Sequence, residues 1–182
     1  MTNRRALLVG LGIWTLGTSA GCARHHVRDE PRASKRKDGA MSQTEELKRA
    51  AARFYETVNA AMRTGNLARL DEVLAPTAVD HNPTPGQTPG RDGIKKAFAE
   101  FHAAFPDMQM SVEDMLAEGD KVACRIVSRM THRGDFQGIR ATGKPVTLTG
   151  IDILRIVNGT VVERWGEFDN LGFLQQLGAM PR

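Results

Sequence analysis

An aspartate inside an otherwise apolar segment is the residue whose surroundings most clearly suggest chemistry. Asp152 lies within GIDILRIV, residues 150–157, and strand alternation places it on one face with aliphatic side chains and a glycine. An unpaired buried charge is costly, so a carboxylate at this position is expected to have either an oppositely charged partner or a functional role. One hypothesis is a structural ion pair with an arginine such as Arg125 or Arg140. The other is a carboxyl group in a dry pocket, where desolvation raises its pKa toward the working range of a general base.

A predicted hairpin positions Asp152. Residues 146–157 form a long apolar strand, Asn158-Gly159 is a strong signal for a two-residue type I′ turn, and residues 161–168 return antiparallel. Before this hairpin, strand-like segments alternate around a second turn, EGDK at 118–121. The second half of the chain is therefore predicted to consist of consecutive antiparallel strands, followed by a short helical segment, NLGFLQQLG.

Helices are predicted before these strands. Ser42-Gln43-Thr44-Glu45 has the spacing of a capping box, and apolar residues then recur at helical spacing until Gly65. Asn66 is expected to cap a short second helix that ends at Pro76, and residues 78–93 are expected to form a loop because they are rich in Pro and Gly. A third helix carries its apolar residues on one face: Ile94, Phe98, Phe101 and Phe105.

Helices followed by antiparallel strands predict an α+β fold, with the helices on one face of a curved sheet and a cone-shaped cavity between them. The long strand is apolar on both faces, which indicates that both faces are covered. The helices cover one face, and a second copy of the same sheet is the simplest cover for the other. We therefore expect a homodimer.

The N-terminal segment resembles an export signal. Two arginines precede a short apolar run and a series of small residues, which predicts a signal peptide over residues 1–22 and an exported protein, either periplasmic or membrane-anchored. TSAGC resembles a lipobox, so Cys22 is a candidate for lipidation and for the only membrane contact; ordinary cleavage nearby is the alternative. Sec and twin-arginine export also stay open. Residues 23–42 predict a disordered tether, which leaves residues 43–182 as the folded domain.

The positive net charge does not indicate a nucleic-acid partner. The chain has 25 Lys+Arg and 21 Asp+Glu, but residues 1–42 hold eight of the basic and three of the acidic residues, which leaves 17 basic and 18 acidic residues in 43–182. No basic stripe interleaved with aromatic residues is present there, so we expect no nucleic-acid binding. Cys124 is the only cysteine beyond the leader, which excludes a disulfide framework.

Several segments, taken in order, resemble one protein family. The segments are HNPTPG, FPDMQMSVEDMLAEGDKVACR, THRGDFQGIRATGKPV, GIDILRIVNGTVVERW and DNLGFLQQLG. They are similar to those of the SnoaL-like polyketide cyclases, also called ester cyclases, of the NTF2-like superfamily, and the similarity runs from Glu45 to Gly178. This resemblance implies an α+β cone, usually a dimer through the sheet, and a cofactor-free enzyme that closes a ring by intramolecular aldol chemistry.

The resemblance also assigns roles to individual positions. A pocket asparagine of the family matches Asn82, with His81 beside it, and the family's pocket histidine on the long strand falls on Asp152. The family's catalytic aspartate falls on Gly166, so its carboxylate is missing, and the neighbouring Glu167 faces the other side unless a bulge intervenes. We therefore expect Asp152 to act as the base, His81 to orient it or to donate to the forming enolate oxygen, and Asn82 to hold a substrate carbonyl.

Three weaker candidates for substrate binding remain. His132 lies near a strand end and is expected to rim the pocket, and Glu167 is kept because of its position next to Gly166. Asp169 matches an acidic position before the final helix, where it either contacts the substrate or caps the helix. For His81 the competing interpretation is a loop residue that bonds its own turn.

Neither a metal nor an organic cofactor is predicted. No pair of histidines or carboxylates has a recognisable ligand spacing, and no phosphate-binding or dinucleotide motif is present. Two functions stay open for a cavity that takes a small molecule: an enzyme of the cyclase or isomerase type that acts on a carbonyl compound, or an exported module that binds a hydrophobic ligand without chemistry. The lone carboxylate favours the enzyme, and the leader favours the binding module.

Overall fold

A computed structural model describes residues 41–181. The predicted signal peptide with Cys22, and the predicted tether except for Met41 and Ser42, lie outside the described residues. The elements in chain order are α1 (Gln43–Thr64), a 3₁₀ helix (Leu67–Glu72), β1 (Leu74–Asp80), α2 (Gly90–Ala104), β2 (Gln109–Glu118), β3 (Lys121–Thr131), β4 (Pro145–Val157), β5 (Thr160–Phe168) and α3 (Asn170–Leu177). The α+β class is confirmed. Between residues 41 and 181, no helix combines the length and the apolar character needed to cross a bilayer.

The first helix begins and ends as its sequence predicts. Ser42 Oγ accepts a hydrogen bond from the backbone N–H of Glu45, and the Glu45 carboxylate accepts one from the backbone N–H of Ser42, which completes the capping box. Gly65 ends the helix with a φ of 71°, in the left-handed region that glycine tolerates. The buried face of α1 includes Phe54 and Tyr55, and it brings the Tyr55 hydroxyl to the sheet.

The strands form one open sheet in the order β1-β5-β4-β3-β2. β2, β3, β4 and β5 are consecutive antiparallel neighbours, as predicted. Asn158 and Gly159 join β4 to β5 with φ values of 51° and 73°, which is the pair of positive φ angles that a type I′ turn requires.

The predicted short second helix is a 3₁₀ helix that follows Asn66, but it ends before Pro76, and strand β1 takes the place of the rest of it and of the start of the predicted loop. β1 lies at the edge of the sheet, parallel to β5. Pro76 is inside this strand, where the pairing is interrupted between Leu74 and Val79. Proline is tolerated in an irregular edge strand because it has no N–H to donate to a ladder.

The two faces of β4 differ in burial. Asp152 and Leu154 face the helices and are buried, whereas Ile151 and Ile153 are 51% and 37% exposed on the other side. We call these sides the inner face and the outer face of the sheet. Register places an apolar row across the outer face: Leu116, Ala123, Ile153 and Trp165.

A bulge in β5 decides which of its side chains reach the inner face. The pairing of β4 with β5 shifts by one residue next to Ile156, which makes Val162 an extra residue in β5. Beyond the bulge, Gly166 lies opposite Asp152. Uninterrupted pairing from the turn would instead have placed Trp165 opposite Asp152.

We expect the amide of Asn59 to be important for stability. Its Nδ2 donates to the carbonyl oxygen of Met110 (2.9 Å), and its Oδ1 accepts from the Met110 N–H (2.8 Å), so one side chain joins α1 to the edge strand β2. Asn59→Ala should lower the free energy of unfolding by about 1–3 kcal/mol, because both main-chain groups lose their partner. Urea denaturation measures this change. Glu56→Ala, an exposed site on the same helix, is the control and should stay within about 0.5 kcal/mol of wild type. Equal stabilities of the two variants would contradict the role of Asn59.

Candidate functional site

A cavity of about 440 Å³ lies between the helices and the inner face of the sheet, and its size is that of a typical small-molecule site. Six phenylalanines line it: Phe54, Phe98, Phe101, Phe136, Phe168 and Phe173. The charged side chains in its wall are Asp80, Asp152, Arg164 and Glu167. The wall is therefore largely aromatic, with ionisable groups gathered where β1, β4 and β5 meet.

Asp152 lies in this wall and is 1% exposed. The Tyr55 hydroxyl donates a hydrogen bond to Oδ2 (3.0 Å). Arg164 Nη2 lies 2.9 Å from Oδ1 and forms an ion pair with the carboxylate. The prediction that an arginine such as Arg125 or Arg140 pairs with Asp152 is wrong in its choice of residue, because the partner is Arg164. The two hypotheses for Asp152 are thus not exclusive, since the carboxylate is both paired and part of the cavity.

The surroundings of Asp152 favour its protonated form. Burial raises the pKa of the Asp152 carboxyl group, against the opposing effects of the Arg164 guanidinium and the Tyr55 hydroxyl, which both stabilise the carboxylate. Burial and the neighbouring Asp152 also raise the pKa of Tyr55 well above its ordinary range. Tyr55 therefore keeps its proton and donates it in the hydrogen bond to Asp152.

Because Gly166 has no side chain, the ion pair between Arg164 and Asp152 fits into the space beside it. A Cβ atom at this position would lie 2.6 Å from Arg164 Nη2 and 2.6 Å from Asp152 Oδ1. No real side chain accepts such distances, so any larger residue at Gly166 would push the two charged groups apart.

His81 does not share the cavity with Asp152, contrary to the expectation. Its ring stacks on Trp165, with centroids 4.3 Å apart and planes 2° apart, and its Nε2 lies 2.9 Å from Glu163 Oε2. Trp165 pairs with the exposed Ile153, so this stack belongs to the outer face. His81 does not bond its own turn either, because its partner is Glu163 on β5.

Asn82 and Glu167 reach the cavity together. Asn82 Oδ1 accepts from the backbone N–H of Gly166 (3.1 Å), and Asn82 Nδ2 donates to Glu167 Oε1 (2.8 Å). Both residues line the cavity. One N–H of the Asn82 amide remains for another acceptor, whereas its oxygen is held by β5.

The remaining two candidates, His132 and Asp169, do not line the cavity and have structural roles instead. His132 is fully buried; its Nδ1 accepts from the Thr142 N–H (3.3 Å), and its ring stacks on Phe105 rather than lining the cavity. Asp169 caps α3 by accepting from the Gly172 N–H (2.9 Å). The capping alternative therefore accounts for the position of Asp169.

Sequence reasoning missed Tyr55, Arg164 and Asp80. Tyr55 follows Ala51 by four residues and so belongs to the same helical face, a signal that was available. Arg164 lies two residues before Gly166 and so shares the face of the expected pocket position, a signal that was also available, whereas Asp80 was hidden by the unrecognised strand β1. Within residues 41–181, no three His, Cys, Asp or Glu side chains are grouped closely enough to hold a metal ion.

An open sheet with helices over its inner face and a carboxylate in the enclosed cavity defines a protein of the NTF2-like fold. The family model described as SnoaL-like polyketide cyclase matches residues 49–177. The chain belongs to this family. No protein with a curated description matches the sequence.

Solved structures of similar proteins agree with this assignment. IdmH from Streptomyces antibioticus, a proposed polyketide cyclase, is 37% identical over 72% of this chain and 98% of its own, with a TM-score of 0.62. TsrD from Streptomyces laurentii is 28% identical over 78% of this chain and 100% of its own, with a TM-score of 0.66. AclR from Streptomyces galilaeus, a proposed hydroxylase, is 29% identical over 76% and 85%, with a TM-score of 0.64. The same fold thus carries descriptions of more than one activity.

The raised pKa of Asp152 predicts a pH-dependent difference in stability. An unfolded aspartate has a pKa of about 3.9, so the folded carboxyl group holds its proton to higher pH than the unfolded one. Its contribution to stability is then fully present below the unfolded pKa and is lost as pH rises through the folded pKa. Relative to Asp152→Asn, wild type should therefore lose stability as the pH rises above about 4, as measured by urea denaturation. A difference that stays constant with pH would contradict the raised pKa.

Proposed function

We propose that the protein is a cofactor-independent cyclase-type enzyme that uses the Asp152 carboxyl group as a general base on a small carbonyl substrate. The observation that carries this proposal is a buried carboxyl group, with a raised pKa, in the wall of a mainly aromatic cavity. A general base works best when its pKa lies near the working pH. Membership of the SnoaL-like polyketide cyclase family supports the reaction class.

The exchange of residues between two strands supports Asp152 in this role. The resemblance places the family's catalytic aspartate at position 166 and a histidine at position 152. These positions lie directly opposite each other in the register of β4 and β5. Placing the acid on β4 and glycine on β5 keeps one carboxylate in the same part of the cavity wall, and the glycine leaves room for its arginine partner.

The proposed reaction needs one group that accepts and returns a proton. Asp152 takes the proton from a carbon between two carbonyl groups, and the electron pair of the broken C–H bond is held by the enolate. The enolate carbon forms a bond to a third carbonyl carbon of the same molecule. The alkoxide produced there takes the proton back from Asp152, so the product is a cyclic isomer of the substrate and no co-reactant is consumed.

Two side chains support the oxygen that gains negative charge. The Arg164 guanidinium lines the cavity and is 14% exposed, so part of it is open to a ligand. The Asn82 amide has an N–H beyond the one that bonds Glu167. Donors that are already oriented toward a developing oxyanion lower the barrier without having to reorganise.

A binding module for a hydrophobic ligand is the alternative function, and the six phenylalanines of the cavity wall favour it. A carrier needs apolar surface and shape but no proton transfer. Asp152 would then be a structural partner of Tyr55 and Arg164, and its removal would change ligand binding or stability but no chemical step.

We expect Asp152→Asn to lower turnover by at least about 100-fold, because it removes the base while keeping the size of the side chain. The assay offers aryl esters that carry three carbonyl groups in a chain, and follows the appearance of a cyclic isomer of unchanged mass by liquid chromatography and mass spectrometry. His81→Ala is the control and should retain turnover, since its imidazole lies on the outer face. Normal turnover by Asp152→Asn would exclude the proposed base. A bound ligand recovered unchanged from both proteins would support the binding module.

We also propose that the outer face forms a homodimer with a second copy of the chain. Ile151 and Ile153 are exposed side by side on the central strand β4, and Ile153 is part of the apolar row that ends at Trp165. Two such faces packed against each other would bury these side chains away from water, which is favourable for apolar groups. The covering copy would contact the strands that carry the site from behind.

Replacing Ile153 by glutamate should convert the proposed dimer to a monomer, because it places a charge at the centre of the apolar row. Sedimentation velocity of wild type and Ile153→Glu measures the change in mass. Leu171→Glu, at an exposed apolar residue of α3, is the matched control and should leave the dimer intact. A monomeric wild-type protein would refute the dimer.

A further inference from the structure

One buried arginine is shared by two carboxylates. Arg164 Nη1 donates to Asp80 Oδ2 (3.2 Å), and Arg164 Nη2 lies 2.9 Å from Asp152 Oδ1. The Asp80 side chain is 7% exposed, and both carboxylates line the cavity. Two potential negative charges therefore share a single positive charge in a place that water hardly reaches.

Asp80 is the more firmly held of the two carboxylates. Its Oδ1 accepts from the Asn82 N–H (3.1 Å), and its Oδ2 accepts from Gln87 Nε2 (3.2 Å) as well as from Arg164. Its position at the end of β1, directly beside Arg164 in the register, fixes its distance to the guanidinium. The Asp80 carboxylate thus has three donors, whereas Asp152 is held by the Tyr55 hydroxyl and by its ion pair with Arg164.

The ionisable groups that face Asp152 come from four elements. They are Tyr55 of α1, Cys124 of β3, Arg164 of β5 and Asp80 of β1. Burial raises the pKa of Cys124 to about 11, so Cys124 is neutral, as is Tyr55. Arg164 and Asp80 are then the two charges that act on Asp152. They act in opposite directions, since the guanidinium favours the carboxylate and Asp80 disfavours it.

We propose that Asp80 is a positioning residue for the site: it holds one arm of the Arg164 guanidinium away from Asp152, so that Asp152 receives only part of its counter-charge and keeps its basicity. This inference rests on the role of Asp152 proposed above. Without Asp80, the arm of the guanidinium that now bonds Asp80 would also be free to turn toward Asp152. Asp152 would then be a stable carboxylate and a poorer base. Gln87 contributes by satisfying Asp80 from the loop between β1 and α2.

Direct titration of Asp152 tests this proposal without any substrate. The folded protein is prepared with aspartate labelled with ¹³C at the side-chain carboxyl carbon, and the Asp152 signal is identified as the one that Asp152→Asn removes. Asp80→Asn should move the titration midpoint of Asp152 to lower pH by about one pH unit or more, because a like charge disappears and the guanidinium is released to Asp152. Asp80→Glu keeps the charge and should return the midpoint toward wild type.

Two further variants make the result specific. Asp120→Asn removes a carboxylate that pairs with Arg155 on the opposite side of the sheet, and it should leave the Asp152 midpoint unchanged. Gln87→Met removes a neutral donor from Asp80, so Asp80 should draw Arg164 closer and the Asp152 midpoint should rise. The Gln87 variant alters only a loop side chain, so it still decides the question if Asp80→Asn fails to fold.

The outcomes separate this inference from the proposed function. An Asp152 midpoint that does not move in Asp80→Asn or in Gln87→Met, or that moves in the opposite direction, overturns the role of Asp80 even if the enzyme turns over substrate. Midpoints that move as expected support that role. If no variant and no wild-type protein then converts any carbonyl substrate, the proposed reaction fails while the electrostatic arrangement stands.

Discussion

The contact between Asp152 and Arg164 is the interaction on which the site depends, because both groups lie away from water. Burying two charges is expensive, and their attraction offsets the loss of solvation only when the geometry is good and other polar atoms are satisfied. Here the neighbours complete the arrangement: the Tyr55 hydroxyl bonds one oxygen of Asp152, and Asp80 bonds one arm of Arg164. Both oxygens of Asp152 thus have a neighbour, since Oδ1 lies 2.9 Å from Arg164 Nη2, and burial still raises the pKa of the carboxyl group against these contacts.

A single extra residue in β5 creates this contact. The turn at Asn158-Gly159 starts the pairing of β4 with β5, and an undisturbed ladder would set Trp165 against Asp152. The bulge at Val162 shifts the pairing by one, so that Gly166 lies opposite Asp152. Since side chains alternate between faces, the same shift moves Arg164 inward. The charge pair, the space that holds it and the outward position of Trp165 are therefore consequences of one irregularity.

The same irregularity explains how far the sequence could predict the site. Local signals were sufficient for the capping box at Ser42 and the hairpin turn, since each depends on residues close in the chain. Strand alternation identified the residues that share a face with Asp152, but not whether that face meets the cavity or a second copy of the chain. Simple alternation along β5 from Val161 predicts the wrong face for every residue beyond the bulge, so the face of Arg164 followed only from its spacing of two residues from Gly166. β1 pairs in parallel with a strand more than 80 residues away and contains a proline, so its local pattern indicated a loop. Because β1 was not predicted, there was no reason to expect from the sequence that Asp80 faces the cavity and its neighbour His81 faces the opposite side of the sheet.

Strand β4 contributes residues both to the cavity and to the outer face of the sheet. Asp152 points into the cavity, while its neighbours Ile151 and Ile153 point out of the opposite face. A partner packed on the outer face would hold these isoleucines in place, and a strand that is held from behind has less freedom to move its inward side chains. The distance between Asp152 and Arg164 is set by adjacent strands, so any motion of β4 relative to β5 would change the balance of charge at the site. Association through the outer face would therefore stabilise the geometry on which the proton affinity of Asp152 depends.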